Sequence, residues 1–118
     1  MIGKALVAAS TKPLILSILE DRESYGYQII QRVKELSGGD LEWADGMLYP
    51  VLHRMEKDGF IQSSWQISDN GRRRKYYAIT SLGQKELAWE KQQWMSVNSV
   101  FSKLWDPGNK PQLVNSGL

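Results

Sequence analysis

The dipeptide Asn70-Gly71 runs straight into four consecutive cations, Arg72-Arg73-Arg74-Lys75, between two runs rich in β-branched and aromatic residues. Asn-Gly is the strongest short-range hairpin signal, because both residues tolerate the positive φ that a tight two-residue turn demands. The flanking runs, Phe60–Ile67 and Lys75–Thr80, alternate in part and read as its two strands. The rest of the chain is patterned as helix. A largely helical chain with one basic-tipped hairpin restricts the choice to α+β architectures in which a small sheet sits beside helices.

Upstream of the hairpin, the apolar positions repeat at helical spacing. Pro13–Leu19 is a compact apolar run, with Ser10 or Thr11 placed to cap it and Pro13 suited to a first turn. Residues 4–9 extend it by a further turn or two, and Glu20–Ser24 reads as a polar connection. Tyr25, Ile29, Ile30, Val33 and Leu36 form one stripe of a second helix, stopped by Gly38-Gly39. Leu41-Glu42-Trp43 alternates and fits a short strand. Asp45 is placed to cap a third helix that ends near Asp58, with Gly59 at its C′ position. Its apolar stripe is Leu48, Val51, Leu52 and Met55, which leaves Gly46, Met47, Tyr49, Pro50, His53, Arg54 and Lys57 on or beside the other face. Pro50 lies a turn inside, so either the helix starts later or its first turn is irregular. Trp43 and Trp65 read as core residues, and Tyr77 as packing.

Thr80 or Ser81 caps a final helix that reaches Trp105, before Asp106-Pro107-Gly108. At ~1.5 Å per residue it spans ~39 Å, more than a domain of this size needs. Leu87, Trp94 and Phe101 recur every seven residues, with Val97 and Leu104 three positions after the latter two. That is an a/d seam, and no helix of equal length exists elsewhere in the chain to fill it, so a second copy is the expected partner. The expected organisation is a winged helix-turn-helix DNA-binding domain over 1–80, a dimerisation helix over 81–105 and a disordered tail over 106–118. The fold class is α+β, mostly α.

Composition then removes whole classes of chemistry. The 118 residues include no cysteine and a single histidine, His53, which excludes sulfur-ligated zinc, histidine-cluster metal sites and thiolate catalysis. No serine or carboxylate is positioned to work with His53, so no catalytic residues, metal or cofactor are expected, and the chain does not read as an enzyme. No apolar run approaches the length that crosses a bilayer, and Met1–Ser10 lacks the sustained apolar core of a signal peptide, so a cytoplasmic location and no membrane partner are expected. Net charge is only +2, yet Arg72–Lys75 concentrates it in one knot, which suits focused contact with an anion.

Three separated stretches carry a specific resemblance. Ser24-Tyr25-Gly26-Tyr27-Gln28-Ile29-Ile30, the run from Asp45 to Gly59, and Gly71-Arg72-Arg73-Arg74-Lys75-Tyr76-Tyr77 followed by Thr80 and Gly83 resemble the PadR family of bacterial transcriptional regulators. The similarity spans Pro13 to Leu104 and points to the small subfamily with one C-terminal helix. It implies a homodimeric repressor on a pseudo-palindromic operator in double-stranded DNA, relieved by a small aromatic or drug-like molecule. Position by position, it implies that the Tyr49–Lys57 face reads the major groove through Tyr49, Pro50, His53, Arg54 and Lys57, and that Gly71–Lys75 is the wing. Tyr25 and Tyr27 fall in the second-helix motif, where one of them touches the DNA backbone. Trp94 aligns with a central-helix tryptophan that lines a ligand pore in multidrug-sensing members. Its plainer reading is an interface knob beside Leu87, Val97, Phe101 and Leu104. Met47, counted among the DNA contacts, stands where the family commonly has a threonine, and so brings no hydroxyl donor. Two other readings compete: a winged-helix module that docks a protein, and a dimer whose main task is to hold hydrophobic ligands, with DNA binding secondary.

Overall fold

A computed structural model describes residues 1–106 and Gly108, in the order α1 (Lys4–Asp21), β1 (Ser24–Tyr25), α2 (Gly26–Leu36), α3 (Asp45–Lys57), β2 (Ile61–Ile67), β3 (Arg73–Ile79) and α4 (Ser81–Trp105). The expected tail beyond Gly108 lies outside the described residues. The chain divides into two compact units, Met1–Leu87 and the remainder from Ala88.

In the first unit the helical stripes read from the sequence converge on one core. Ile15, Leu16 and Leu19 of α1 meet Ile29 and Val33 of α2 and Leu48, Leu52 and Met55 of α3, and Ile61, Tyr77 and Leu87 close the cluster. Burying such aliphatic side chains contributes roughly 1.5–3 kcal/mol each, which holds α3 in place from one side only. Trp43 is in this core as expected, with its indole N–H unpaired.

Helix α1 starts earlier than the expected caps. Thr11 Oγ1 donates to the Val7 carbonyl at 2.7 Å and Ser10 Oγ donates to the same oxygen at 3.1 Å, so both hydroxyls turn back onto the helix instead of opening it. The helix runs through Pro13, which lies inside it and not in its first turn; it lacks the N–H for an i−4 bond, and its ring crowds the preceding turn. In α3, Ala44 is the N-cap, and Asp45 is the first helical residue, where its charge favours the positive end of the helix. The helix runs from Asp45 through Pro50, so it does not start later, and the Ala44 carbonyl accepts from both Met47 and Leu48 at 3.0 Å, a shared bond common at helix starts. Gly38-Gly39 and Gly59 follow α2 and α3 with positive φ.

The sheet has three strands, in the order β1-β3-β2, all antiparallel. The third strand is Ser24–Tyr25, pairing Ser24 with Tyr77 and Tyr25 with Tyr76, and not Leu41-Glu42-Trp43, which has no strand character. Two residues are too few for alternation to announce a strand. The arginines begin β3 within the ladder, Arg73 opposite Ile67 and Arg74 opposite Gln66. Trp65 is 57% exposed, not buried. It shares a face with Ile61, but lies about 13 Å further along the strand, past the part of the sheet that the helices cover.

Helix α4 opens at Thr80, whose Oγ1 accepts from Gly83 N–H at 3.0 Å while donating to the Gly59 carbonyl at 2.6 Å. Lys12 Nζ pairs with Glu86 at 2.5 Å, tying α1 to the start of α4. Leu87 is 1% exposed within the chain's own core. It therefore leaves the expected seam, since a side chain already packed against its own chain has no surface left for a second one. In the second unit Trp94, Val97, Phe101 and Leu104 are exposed, and Phe101 stacks on Trp105 with ring centroids 4.4 Å apart.

Candidate nucleic-acid interface

Helix α3 has two chemically distinct sides. Leu48, Leu52 and Met55 are locked into the core, while Tyr49, Pro50, His53, Arg54 and Lys57 are exposed. Tyr49, His53 and Lys57 recur at i, i+4 and i+8, one above the other on a single ridge, with Pro50 and Arg54 beside it. Gly46 is also exposed, whereas Met47 is half-buried and packs against the core.

Tyr49 ties this helix to α2. Its hydroxyl lies over Gly26, where any Cβ would overlap it, so a side chain at that position would displace the Tyr49 ring from the start of α2. The backbone N–H of Tyr25, the N-cap of α2, donates to the Gln28 side chain at 3.2 Å, which fixes where Tyr25 and the exposed Tyr27 leave the helix.

The hairpin is anchored at its root and hydrogen-bonded within its own turn at its tip. At the root, Ser63 Oγ donates to Glu56 of α3 at 2.6 Å. Burial, then the Glu56 carboxylate and Tyr49, push the neighbouring Tyr77 hydroxyl above its ordinary pKa, so it stays protonated and neutral. At the tip, Ser68 N–H donates to the Arg72 carbonyl and Gly71 N–H to the Ser68 carbonyl, both at 2.8 Å, with Gly71 at φ +81°. Arg72 N–H also donates to Asn70 Oδ1 at 3.1 Å. Such a turn sets where the cations leave the hairpin.

Among the described residues, Arg72, Arg73, Arg74 and Lys75 form no ion pair with a carboxylate. Three of them lie instead over rings: Arg73 over Trp65 at 4.6 Å, Arg74 over Tyr25 at 4.2 Å and Lys75 over Tyr77 at 5.8 Å. Tyr25 in turn meets Tyr76 edge-on at 5.3 Å. Arg72–Lys75 line an open groove of about 790 Å3 together with Tyr25, Tyr27, Tyr49 and Trp65. The tertiary structure thus brings the wing cations, both motif tyrosines and Tyr49 to one place. His53, Arg54 and Lys57 continue from it along α3 and do not line the groove. Trp65 is the member that the sequence alone assigned elsewhere. The signal that could have found it is its register opposite Lys75, two residues from Arg73.

Among the described residues no cluster of His, Asp or Glu could hold a metal ion, and no helix is long and apolar enough to cross a membrane. Cations that no carboxylate among the described residues neutralises stand beside a helix whose outer face is polar, features that suit contact with a polyanion.

Residues 15–89 match the model of the transcriptional regulator PadR-like family. The transcriptional regulator Rv3488 of Mycobacterium tuberculosis is 37% identical over 79 residues, covering 67% of this chain and 70% of that protein. A PadR-like transcriptional regulator from Bacillus cereus superimposes with a TM-score of 0.78 at 29% identity, over 87% of this chain and 98% of its own. A PadR family regulator from Clostridium difficile does so with a TM-score of 0.69 at 36% identity, over 80% and 97%.

Proposed function

This chain belongs to the PadR-like family of transcriptional regulators, and from that premise we propose that it represses transcription as a homodimer on a pseudo-palindromic operator. The family is one of regulators and not of enzymes. The observation that carries the proposal is the set of cations Arg72–Lys75, paired with no carboxylate among the described residues and set beside the exposed ridge of α3.

Residues 1–80 contact the duplex and 81–105 pair two copies, with Val97, Phe101, Leu104 and Trp94 at the seam. The α3 ridge enters the major groove, where His53 and Arg54 reach base edges and good contacts discriminate by ~1–3 kcal/mol each. Met47 contributes an apolar contact at most, being half-buried. Lys57, Tyr49, Tyr25 or Tyr27 and the wing meet phosphates, which set register without reading sequence.

Selection of bound sequences from a random duplex pool tests this directly. The expected product is two inverted half-sites with centres one helical turn, ~34 Å, or a multiple of it apart. His53→Ala is expected to change the preferred sequence more than the hold on random DNA. A uniform loss would place His53 among the phosphate contacts, and a pool with no enrichment at all would remove the DNA-binding reading in favour of a protein-docking module.

Relief of repression falls to a small flat aromatic molecule held against Trp94. The supporting observation is that this indole is 38% exposed, with its N–H donated to Glu90 at 3.3 Å and its ring left without a stacking partner among the described residues. Tryptophan fluorescence should be quenched by planar aromatic cations in the wild type and much less so in Trp94→Ala. Equal quenching in both would remove Trp94 from the ligand site.

A further inference from the structure

Trp65 has no place in the functions assigned so far. It is a large apolar side chain, 57% exposed, in the middle of a strand. Packing does not account for it, because the helices cover the Ile61 end of that face and Trp65 lies beyond. What covers its ring is the Arg73 guanidinium, 4.6 Å from the centroid.

An arginine on a flexible stem loses rotamer freedom whenever it grips a ligand, and a partner that holds it extended beforehand lowers that cost. An acidic partner would do so by occupying the N–H edge, the same edge a phosphate needs. An aromatic partner occupies the planar face and leaves the edge free for a bidentate contact. Among the described residues no carboxylate pairs with Arg73. Trp65 and Arg73 stand on paired strands of one ladder, Trp65 opposite Lys75 and Arg73 opposite Ile67, so the platform and the arginine share one hydrogen-bonded frame.

The same device occurs on the other side of the sheet, where Arg74 lies 4.2 Å over Tyr25. Consecutive strand residues point to opposite faces, so Arg73 and Arg74 leave the wing in opposite directions, each backed by one ring.

We propose that Trp65 is a positioning residue of the DNA interface: its indole face holds the Arg73 guanidinium extended, with its N–H edge turned to a backbone phosphate. This rests on the DNA-binding reading above. It adds to the interface a residue that touches no base and carries no charge.

A double-mutant cycle read by fluorescence anisotropy on a duplex from the random pool tests it, with wild type, Trp65→Ala, Arg73→Ala and the double variant, and Trp65→Phe as the conservative control. An exposed cation–π contact contributes about 0.5–1 kcal/mol, so over two wings Trp65→Ala should bind roughly 5- to 30-fold more weakly. Trp65→Phe keeps a ring face and should stay within a few-fold of wild type. In the Arg73→Ala background, adding Trp65→Ala should change nothing further, since a platform with nothing to hold has no effect. Wild-type binding by Trp65→Ala overturns the proposal. So does an equal loss with or without Arg73, which would mean that the indole acts on DNA directly or only supports the wing's fold. Failure of the wild-type protein to bind the duplex is a separate result: it removes the DNA-binding reading itself and the role of Trp65 with it.

Discussion

Replacing Arg73 and Arg74 together by alanine is expected to weaken binding to every DNA sequence alike, by about three orders of magnitude near 0.1 M salt. If each guanidinium neutralises one phosphate, two wings lose about four contacts, and the slope of log affinity against log salt shrinks by roughly 3.6. The loss should be of that size because these arginines have no carboxylate among the described residues to fall back on; their charge is committed outward. Stability should change little, since Arg73 is exposed and Arg74 only half-buried at the open end of the sheet. Titrations between 50 and 200 mM salt, together with thermal unfolding, check both halves. An unchanged salt slope would take the wing out of the interface even if affinity fell.

Placing glutamates at Val97 and Leu104 is expected to leave the protomer folded and to convert a dimer into monomers. These side chains are 53% and 58% exposed on α4, so a charge there meets water in the isolated chain. In a paired seam the same charges would be buried facing their own copies, unpaired, which costs several kcal/mol per pair. With the second half-site gone, half the phosphate contacts go too. For a dimer that makes roughly 6–10 contacts, this lowers affinity by about 10³-fold or more near 0.1 M salt. Sedimentation gives the mass and anisotropy the affinity. A variant that stays dimeric moves the interface off this face; a monomer that binds as tightly as the wild type breaks the link between pairing and DNA contact. Leu87 is not a suitable position for this test, because it is a core residue and its replacement would report on folding instead.

The two halves of the proposed interface were not equally legible. The ridge of α3 could be read because burial of Leu48, Leu52 and Met55 dictates, through a period of 3.6 residues, which side chains remain outside. The groove could not. Tyr25, Tyr49 and Trp65 come from three different elements, and their meeting depends on the close approach of Tyr49 to Gly26 and on the register of β2 with β3. Trp65 and Leu87 were misplaced for one common reason. Periodicity says which face of an element a residue occupies, but not how far the neighbouring elements extend along that face. The sheet outruns its helices before Trp65, and the core reaches into α4 as far as Leu87.

Local chemistry by itself determined the helices with their apolar stripes, the presence of a turn at Asn70-Gly71 with its cations, and the Thr80 cap. Each follows from spacing, dihedral preference or hydrogen-bond capacity within a few residues of chain. The turn itself is a wider loop closed by Ser68 N–H on the Arg72 carbonyl, with Gly71 and not Asn70 at positive φ. Only the tertiary structure decided that Ser24–Tyr25 is a third strand, that Arg73 and Arg74 rest on the rings of Trp65 and Tyr25, and that Leu87 faces inward. Those outcomes are set by how elements meet, across tens of positions for Ser24 with Tyr77 and Arg74 with Tyr25 and across the strand register of one hairpin for Arg73 with Trp65.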